Sequence, residues 1–174
     1  MDAIYNRFCN YLPQSAKILD LGCGSGRDSY YFKSIGHQIT AIDGSSEMCK
    51  LASDFLNLPV ENITFDQLNY SEMFDAIWAC SSLLHVPKSQ ITNVLNKIVR
   101  ACKSNAIIYT CFKYGTDELV RNGCYYSNYN EMQLIELIQE VKGLALKEMW
   151  ISYDVLRKEK SIPQWINAIL QVSK

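Results

Sequence analysis

A chain of 174 residues, 48% hydrophobic and 20% charged, has the length and composition of one globular domain that folds without disulfide or metal staples. A net charge of −1 lacks the electrostatic footprint of a protein that neutralises many phosphates, which argues against a nucleic-acid partner. No run approaches the roughly 18 apolar residues of a membrane span, and the N-terminal MDAIYNRFCNYLPQ lacks the basic-then-apolar order of a secretory leader, so a cytoplasmic location away from membranes is expected.

In chain order, KILDL (residues 17–21) reads as a first strand, followed by a glycine loop and a helix, RDSYYFKSIG, closing at Gly36. HQITAID (37–43) is a second strand. SSEMCKLASDFL is a helix expected to bury the stripe Met48, Leu51, Ala52, Phe55 and Leu56. VENITF and FDAIWAC (74–80) supply the third and fourth strands, the latter apolar on both faces as in a parallel sheet. SQITNVLNKIVRAC is a helix with Ile91, Val94, Leu95, Ile98 and Cys102 inward, and NAIIYTCF (105–112) is the fifth strand. A tyrosine-rich loop, KYGTDELVRNGCYYSNY, leads to a helix N-capped by Asn130 with Leu134, Leu137, Ile138 and Val141 inward. LALKEMWIS and QWINAILQV close the chain as strands, joined across RKEK and Pro163 in a hairpin-like return. The expectation is one α/β domain over residues 1–174, a doubly wound, Rossmann-like, mostly parallel seven-stranded sheet with helices on both faces.

Ligands of such folds sit beyond the carboxyl ends of the strands, where the glycine loop lies. Its spacing, Gly22, Gly24 and Gly26, is not G-x-G-x-x-G, and Arg27 occupies the place of the third glycine in a dinucleotide fingerprint. No G-K-[ST] follows, so phosphate-cradling readings fall as well. Asp20 puts a carboxylate where a pyrophosphate would be repelled and a cationic amino group welcomed. Asp43, ending the second strand, can accept two hydrogen bonds from a ribose diol. Together they describe a ligand with a ribose and an amino acid end.

ILDLGCGSGRD with AIDGSSEM resembles the first two motifs of the class I S-adenosylmethionine-dependent methyltransferases, and FDAIWACSSLLHVP resembles their fourth-strand motif. The stretch after the fifth strand is similar to that of small bacterial members related to tellurite-resistance-type enzymes. The resemblance implies S-adenosylmethionine as cofactor, with Asp20 on the methionine amino group and the backbone of Gly22, Cys23 and Gly24 beneath the ligand. It implies Asp43 on the ribose hydroxyls and Gly44, Ser45 and Met48 bordering ribose and adenine. Asp66, Gln67 and Leu68 would lie at the adenine edge, with Gln67 the alternative to Asp66 for the polar contact, and Ala79 and Leu84 would flank the methionine arm. Related chains carry a further N-terminal segment that folds over the cofactor. Sixteen residues precede the first strand here, so a missing lid is expected.

A sulfonium methyl is already activated, and alignment of a small-molecule acceptor can lower the barrier by about 7–11 kcal/mol. A general base is required only for a protonated nucleophile. His85, after the fourth strand, is the candidate base, against the leading alternative that it packs or caps a backbone group; His37, at the other end of the sheet, is structural. In the tyrosine-rich loop, Arg121 is the foremost acceptor-binding candidate and Tyr126 the next, against a loop merely pinned by its tyrosines. The seven cysteines form no C-x-x-C pair and suggest no metal site, and Cys23 and Cys80 are expected to be structural. Two other readings stand beside a methyltransferase: a cofactor-binding but catalytically weak or partner-dependent protein, and an NAD-binding oxidoreductase.

Overall fold

Lys17–Leu21 forms β1 because Ile18 on one face and Leu19 and Leu21 on the other present apolar side chains, and all its residues after Lys17, Asp20 included, are buried. The computed structural model describes residues 1–153 and 165–174, so the RKEK and Pro163 connection lies outside the described residues. The parallel strands are β1, β2 (Gln38–Asp43), β3 (Glu61–Asn62), β4 (Phe74–Ala79) and β5 (Cys102–Lys113). A hairpin of β6 (Glu118–Arg121) and β7 (Cys124–Ser127) stands apart, and β8 (Leu144–Ser152) and β9 (Trp165–Val172) complete the set. The seven-stranded sheet has the order β3-β2-β1-β4-β5-β9-β8, with β9 antiparallel to both neighbours. The expected hairpin-like pairing of the last two strands is present.

Helices cover both faces. Beyond the first, α1 (Asp2–Cys9), these are α2 (Arg27–Ser34), α3 (Ser46–Leu56), α4 (Lys88–Ala101) and α5 (Glu131–Glu140). One face packs α4 and α5 through Ile91, Val94, Leu95, Ile98, Leu134 and Ile138, each burial contributing about 1.5–3 kcal/mol. The other packs α1 and α2 in an aromatic cluster of Tyr5, Phe8, Phe32, Trp78 and Tyr109, in which Trp78 stacks on Tyr109 at 4.2 Å between centroids. Asn130 caps α5 as expected, accepting from the Gln133 N–H at 2.9 Å.

Four expectations are corrected. The α3 stripe is not buried as a whole: Cys49, Ala52 and Leu56 face the sheet, while Met48, Leu51 and Phe55 are 42%, 54% and 54% exposed. The third strand has shrunk to two residues, so nothing extends the sheet under that flank of the helix. Cys102 begins β5 rather than ending α4, though it is buried. The tyrosine-rich loop contains the β6–β7 hairpin, turned by Asn122 and Gly123 with φ of 51° and 77° as a two-residue hairpin turn demands.

Candidate active site

The strand order reverses between β1 and β4, and the loop after β1 lies at the carboxyl end of this crevice. The Gly22 and Cys23 N–H groups donate to the Ile42 carbonyl at 3.0 and 2.9 Å, binding the loop to the end of β2. All three glycines have left-handed φ, but their surroundings differ. A Cβ on Gly22 would sit 2.6 Å from Ser82 Cβ, and one on Gly26 would sit 3.0 Å from the Leu56 side chain. On Gly24 it would meet nothing within 4 Å, so this residue faces open space. Gly22→Ala is therefore expected to destabilise the fold by roughly 2–3 kcal/mol, combining left-handed strain with displacement of Ser82. A urea midpoint equal to that of the native chain would show that the Ser82 loop yields freely.

Asp43 is held from both sides. Its Oδ2 accepts the Gly24 N–H and its Oδ1 the Ser45 N–H, each at 2.9 Å, leaving a lone pair on each oxygen. Gly44 follows it, and Ser45 N-caps α3 by accepting the Met48 N–H at 3.3 Å. Met48 is exposed at the rim. Asp20 is 2% exposed and accepts the Ser29 hydroxyl at 2.6 Å. Burial pushes its carboxyl up to about 7, the Ser29 bond opposes this, and the neighbouring Asp28 raises it further. No lysine, arginine or histidine forms an ion pair with it among the described residues.

Asp28 belongs to a second cluster. It accepts the Tyr5 hydroxyl at 2.6 Å, Trp78 Nε1–H at 2.8 Å and Arg27 Nε–H at 2.6 Å. Burial alone would raise its carboxyl, but these three donors hold it below the usual carboxylate range. Tyr5 also stacks on Tyr31 at 4.0 Å, so α1 is tied to the start of α2 and to the glycine loop. Sequence reading overlooked Ser29, Asp28 and Tyr5. Asp28 directly follows the loop and offered a local cue, whereas nothing local links Tyr5 or Trp78 to it.

After the short β3, Phe65–Gln67 forms a 3₁₀ turn closed by a capping box, with Gln67 Oε1 accepting the Thr64 N–H at 2.8 Å. Gln67 is thereby engaged, while the Asp66 carboxylate is exposed with no hydrogen bond among the described residues; Leu68 is buried. Ala79 and Leu84 are buried at the end of β4 and in the turn that follows. Asp66 and His85 line one cleft of about 170 Å³, with Val86, Pro87 and Gln90.

His85 ends the 3₁₀ turn Leu83–His85, and its Nδ1 lies 2.7 Å from the Tyr125 carbonyl oxygen. A carbonyl only accepts, so Nδ1 carries the proton, and in the neutral ring Nε2 keeps a lone pair. The Tyr126 ring lies 5.1 Å from the imidazole. The backbone contact anticipated for His85 is present, and it fixes the tautomer a base requires. Arg121 stands at the exposed hairpin tip, paired in the strand with Cys124 rather than brought to His85. The hairpin is pinned by the Ser127 hydroxyl donating to the Val86 carbonyl at 2.7 Å and by Glu118 accepting the Lys88 N–H at 2.7 Å. His37 accepts the Ala16 N–H on Nδ1 at 3.1 Å, in the structural place expected of it.

The sequence pattern of the methyltransferase domain family matches residues 18–105, from the start of β1 into β5. An uncharacterized methyltransferase of Staphylococcus carnosus is 24% identical over 172 residues, covering 90% of this chain and 81% of that protein. A ubiquinone biosynthesis O-methyltransferase of Xanthomonas axonopodis pv. citri is 33% identical over 102 residues, 53% of this chain and 39% of that protein. The chain thus spans about two fifths of the length of the latter. Among solved structures, the 1,6-didemethyltoxoflavin-N1-methyltransferase of Burkholderia thailandensis, with bound 1,6-didemethyltoxoflavin and S-adenosylhomocysteine, superposes with a TM-score of 0.81. It is 18% identical, and the match covers 97% of this chain and 76% of that one, a likeness of fold.

Proposed function

The chain belongs to the methyltransferase domain family as a class I S-adenosylmethionine-dependent enzyme, and from that premise we propose that it methylates a hydroxyl group of a small molecule, with His85 as general base. The observation that carries this reading is the 2.7 Å contact from His85 Nδ1 to the Tyr125 carbonyl, which turns Nε2 into the proton acceptor. The O-methyltransferase name of the Xanthomonas relative supports a hydroxyl acceptor. Hydride transfer to or from NAD has no support in the family.

The residues present suit the cofactor. Asp20 is a buried carboxylate with no ion-pair partner among the described residues, fitted to the methionine ammonium; Gly24 presents an open backbone face, with Gly22 and Cys23 beside it; Asp43 offers two oriented oxygens to the ribose diol. Gly44, Ser45 and Met48 form the adjoining rim, and Ala79 and Leu84 back the methionine arm. For the adenine amino group Asp66 is favoured over Gln67, whose oxygen is engaged in its cap, and Leu68 backs that turn. When bound, S-adenosylmethionine supplies a sulfonium methyl ready for displacement. The protein's remaining tasks are to align the acceptor and take up its proton, the second falling to His85 Nε2. The Tyr126 ring gives the acceptor an amphipathic wall, and Arg121 at the hairpin tip serves acceptor capture rather than proton transfer.

The test is S-adenosylhomocysteine production across phenols, alcohols, carboxylates, amines, thiols and chalcogen oxyanions. Turnover is expected with hydroxyl acceptors, and His85→Gln should lower it by roughly 100-fold or more with cofactor affinity unchanged. Native rates in the variant, or turnover confined to thiols and oxyanions, would overturn the assignment. Silence across the panel with cofactor bound would favour a cofactor-binding subunit that needs a partner.

A further inference from the structure

Cys80 opens the turn after β4, and Cys111 lies beside it in β5. Ala79 and Thr110 are the last register partners of this parallel pair, and the residues that follow them, Cys80 and Cys111, both pack against the aromatic cluster on the opposite face of the sheet. Neighbouring strands run about 4.7–4.9 Å apart, within the Cα separation that a disulfide spans. Ser81 bridges the two sulfurs, its Oγ 3.9 Å from Cys80 Sγ and 3.7 Å from Cys111 Sγ, and its N–H donates to Cys111 Sγ at 3.2 Å. Cys111 is 3% exposed, whereas Cys80 is half-buried and Ser81 is exposed, so a small oxidant has a path to the pair.

We propose that Cys80 and Cys111 form an oxidisable dithiol whose conversion to a disulfide by a hydroperoxide weakens cofactor binding. The Cys111 sulfur attacks the peroxide, the O–O bond breaks, and a sulfenic acid forms with release of an alcohol, or of water from hydrogen peroxide. Cys80 then displaces the sulfenic oxygen; the S–S bond forms and that oxygen leaves as water, the two thiols losing two electrons to the peroxide. Two features favour Cys111 as the attacking sulfur. The Cys80 thiol beside it and the Ser81 N–H stabilise its thiolate and hold its pKa below the ordinary value, although burial opposes them.

The effect reaches the cofactor through two residues. Cys80 leads into Ser81, whose φ of 55° marks a strained turn, and then into Ser82, which lies against Gly22. Bonding Cys80 to Cys111 moves the Cys111 sulfur that accepts the Ser81 N–H and pulls on the chain just before Ser81, so the turn beneath the glycine loop shifts. This consequence rests on the cofactor lying on that loop; the disulfide itself does not.

The experiment treats the reduced full chain with hydrogen peroxide, alkylates the remaining thiols and maps peptides by mass spectrometry, with S-adenosylmethionine affinity measured by calorimetry before oxidation, after it, and after dithiothreitol. A Cys80–Cys111 cross-linked peptide is expected, with at least tenfold weaker binding that dithiothreitol restores. Cys80→Ser should bind normally when reduced and resist peroxide. Absence of the cross-linked peptide, or equal loss of affinity in Cys80→Ser, would overturn the site; a cross-link with unchanged affinity would overturn the coupling. The native chain's cross-link and its reversal decide the site even if the variant misfolds. A reduced chain that binds no cofactor would instead count against the cofactor assignment, and the peptide map would still decide the dithiol.

Discussion

Asp43→Ala is expected to weaken S-adenosylmethionine binding roughly 10- to 100-fold. Hydrogen bonds to a charged acceptor contribute about 1.5–3 kcal/mol, and 1.4 kcal/mol is a factor of ten in the dissociation constant. The carboxylate loses nothing in reaching the ligand because it is already oriented by the Gly24 and Ser45 N–H groups at 2.9 Å. The same two bonds mean that alanine also loosens the loop, so apo stability should fall by about 1–2 kcal/mol. Asp43→Asn separates the effects. It retains one acceptor oxygen, so its affinity should fall between the native chain and the alanine variant. Calorimetry reads both, and an unchanged dissociation constant in Asp43→Ala would remove this residue from the ribose site.

The parts of the fold that were legible in the sequence are those in which local pattern and tertiary burial coincide. β1 and β4 lie in the middle of the sheet, buried on both faces, and runs as apolar as Ile18, Leu19 and Leu21 or Ala76–Ala79 are satisfied only there. The glycine loop was readable because left-handed φ values leave few residues to choose from. The α3 stripe misled because periodicity reports which residues share a face, not how much of that face the sheet covers; Leu51 and Phe55 flank the covered line of Ala52 and Leu56. The β6–β7 hairpin carried its signal in Asn122-Gly123, but the surrounding tyrosines and charges do not alternate cleanly. The Asp28 cluster joins Tyr5, Arg27 and Trp78 from three elements, and the His85 tether depends on where β7 lands. Such contacts arise from topology and have no local signature.

The buried Asp20 is expected to make cofactor affinity a function of pH, with a sign opposite to its effect on the empty protein. Its folded-state pKa, about 7, lies above the ordinary 3.8, so the folded chain holds the proton more tightly than the unfolded one. The stability tied to that proton is fully present below about pH 4 and is lost as pH rises through about 7, amounting to roughly 4 kcal/mol across the interval. Asp28 acts in the reverse direction: its carboxyl is held low, and its contribution is lost as pH falls through that depressed value. A ligand ammonium needs Asp20 ionised. Below about pH 7 binding must therefore expel its proton, and affinity should fall towards tenfold for each pH unit before levelling above that point. Calorimetry at about pH 6 in buffers of different ionisation heat should detect release approaching one proton, and Asp20→Asn should bind more weakly with little pH dependence. If affinity stayed flat from about pH 5.5 to about pH 8.5, Asp20 would not be the ammonium's partner. Its burial with no ion-pair partner among the described residues would then need a different occupant.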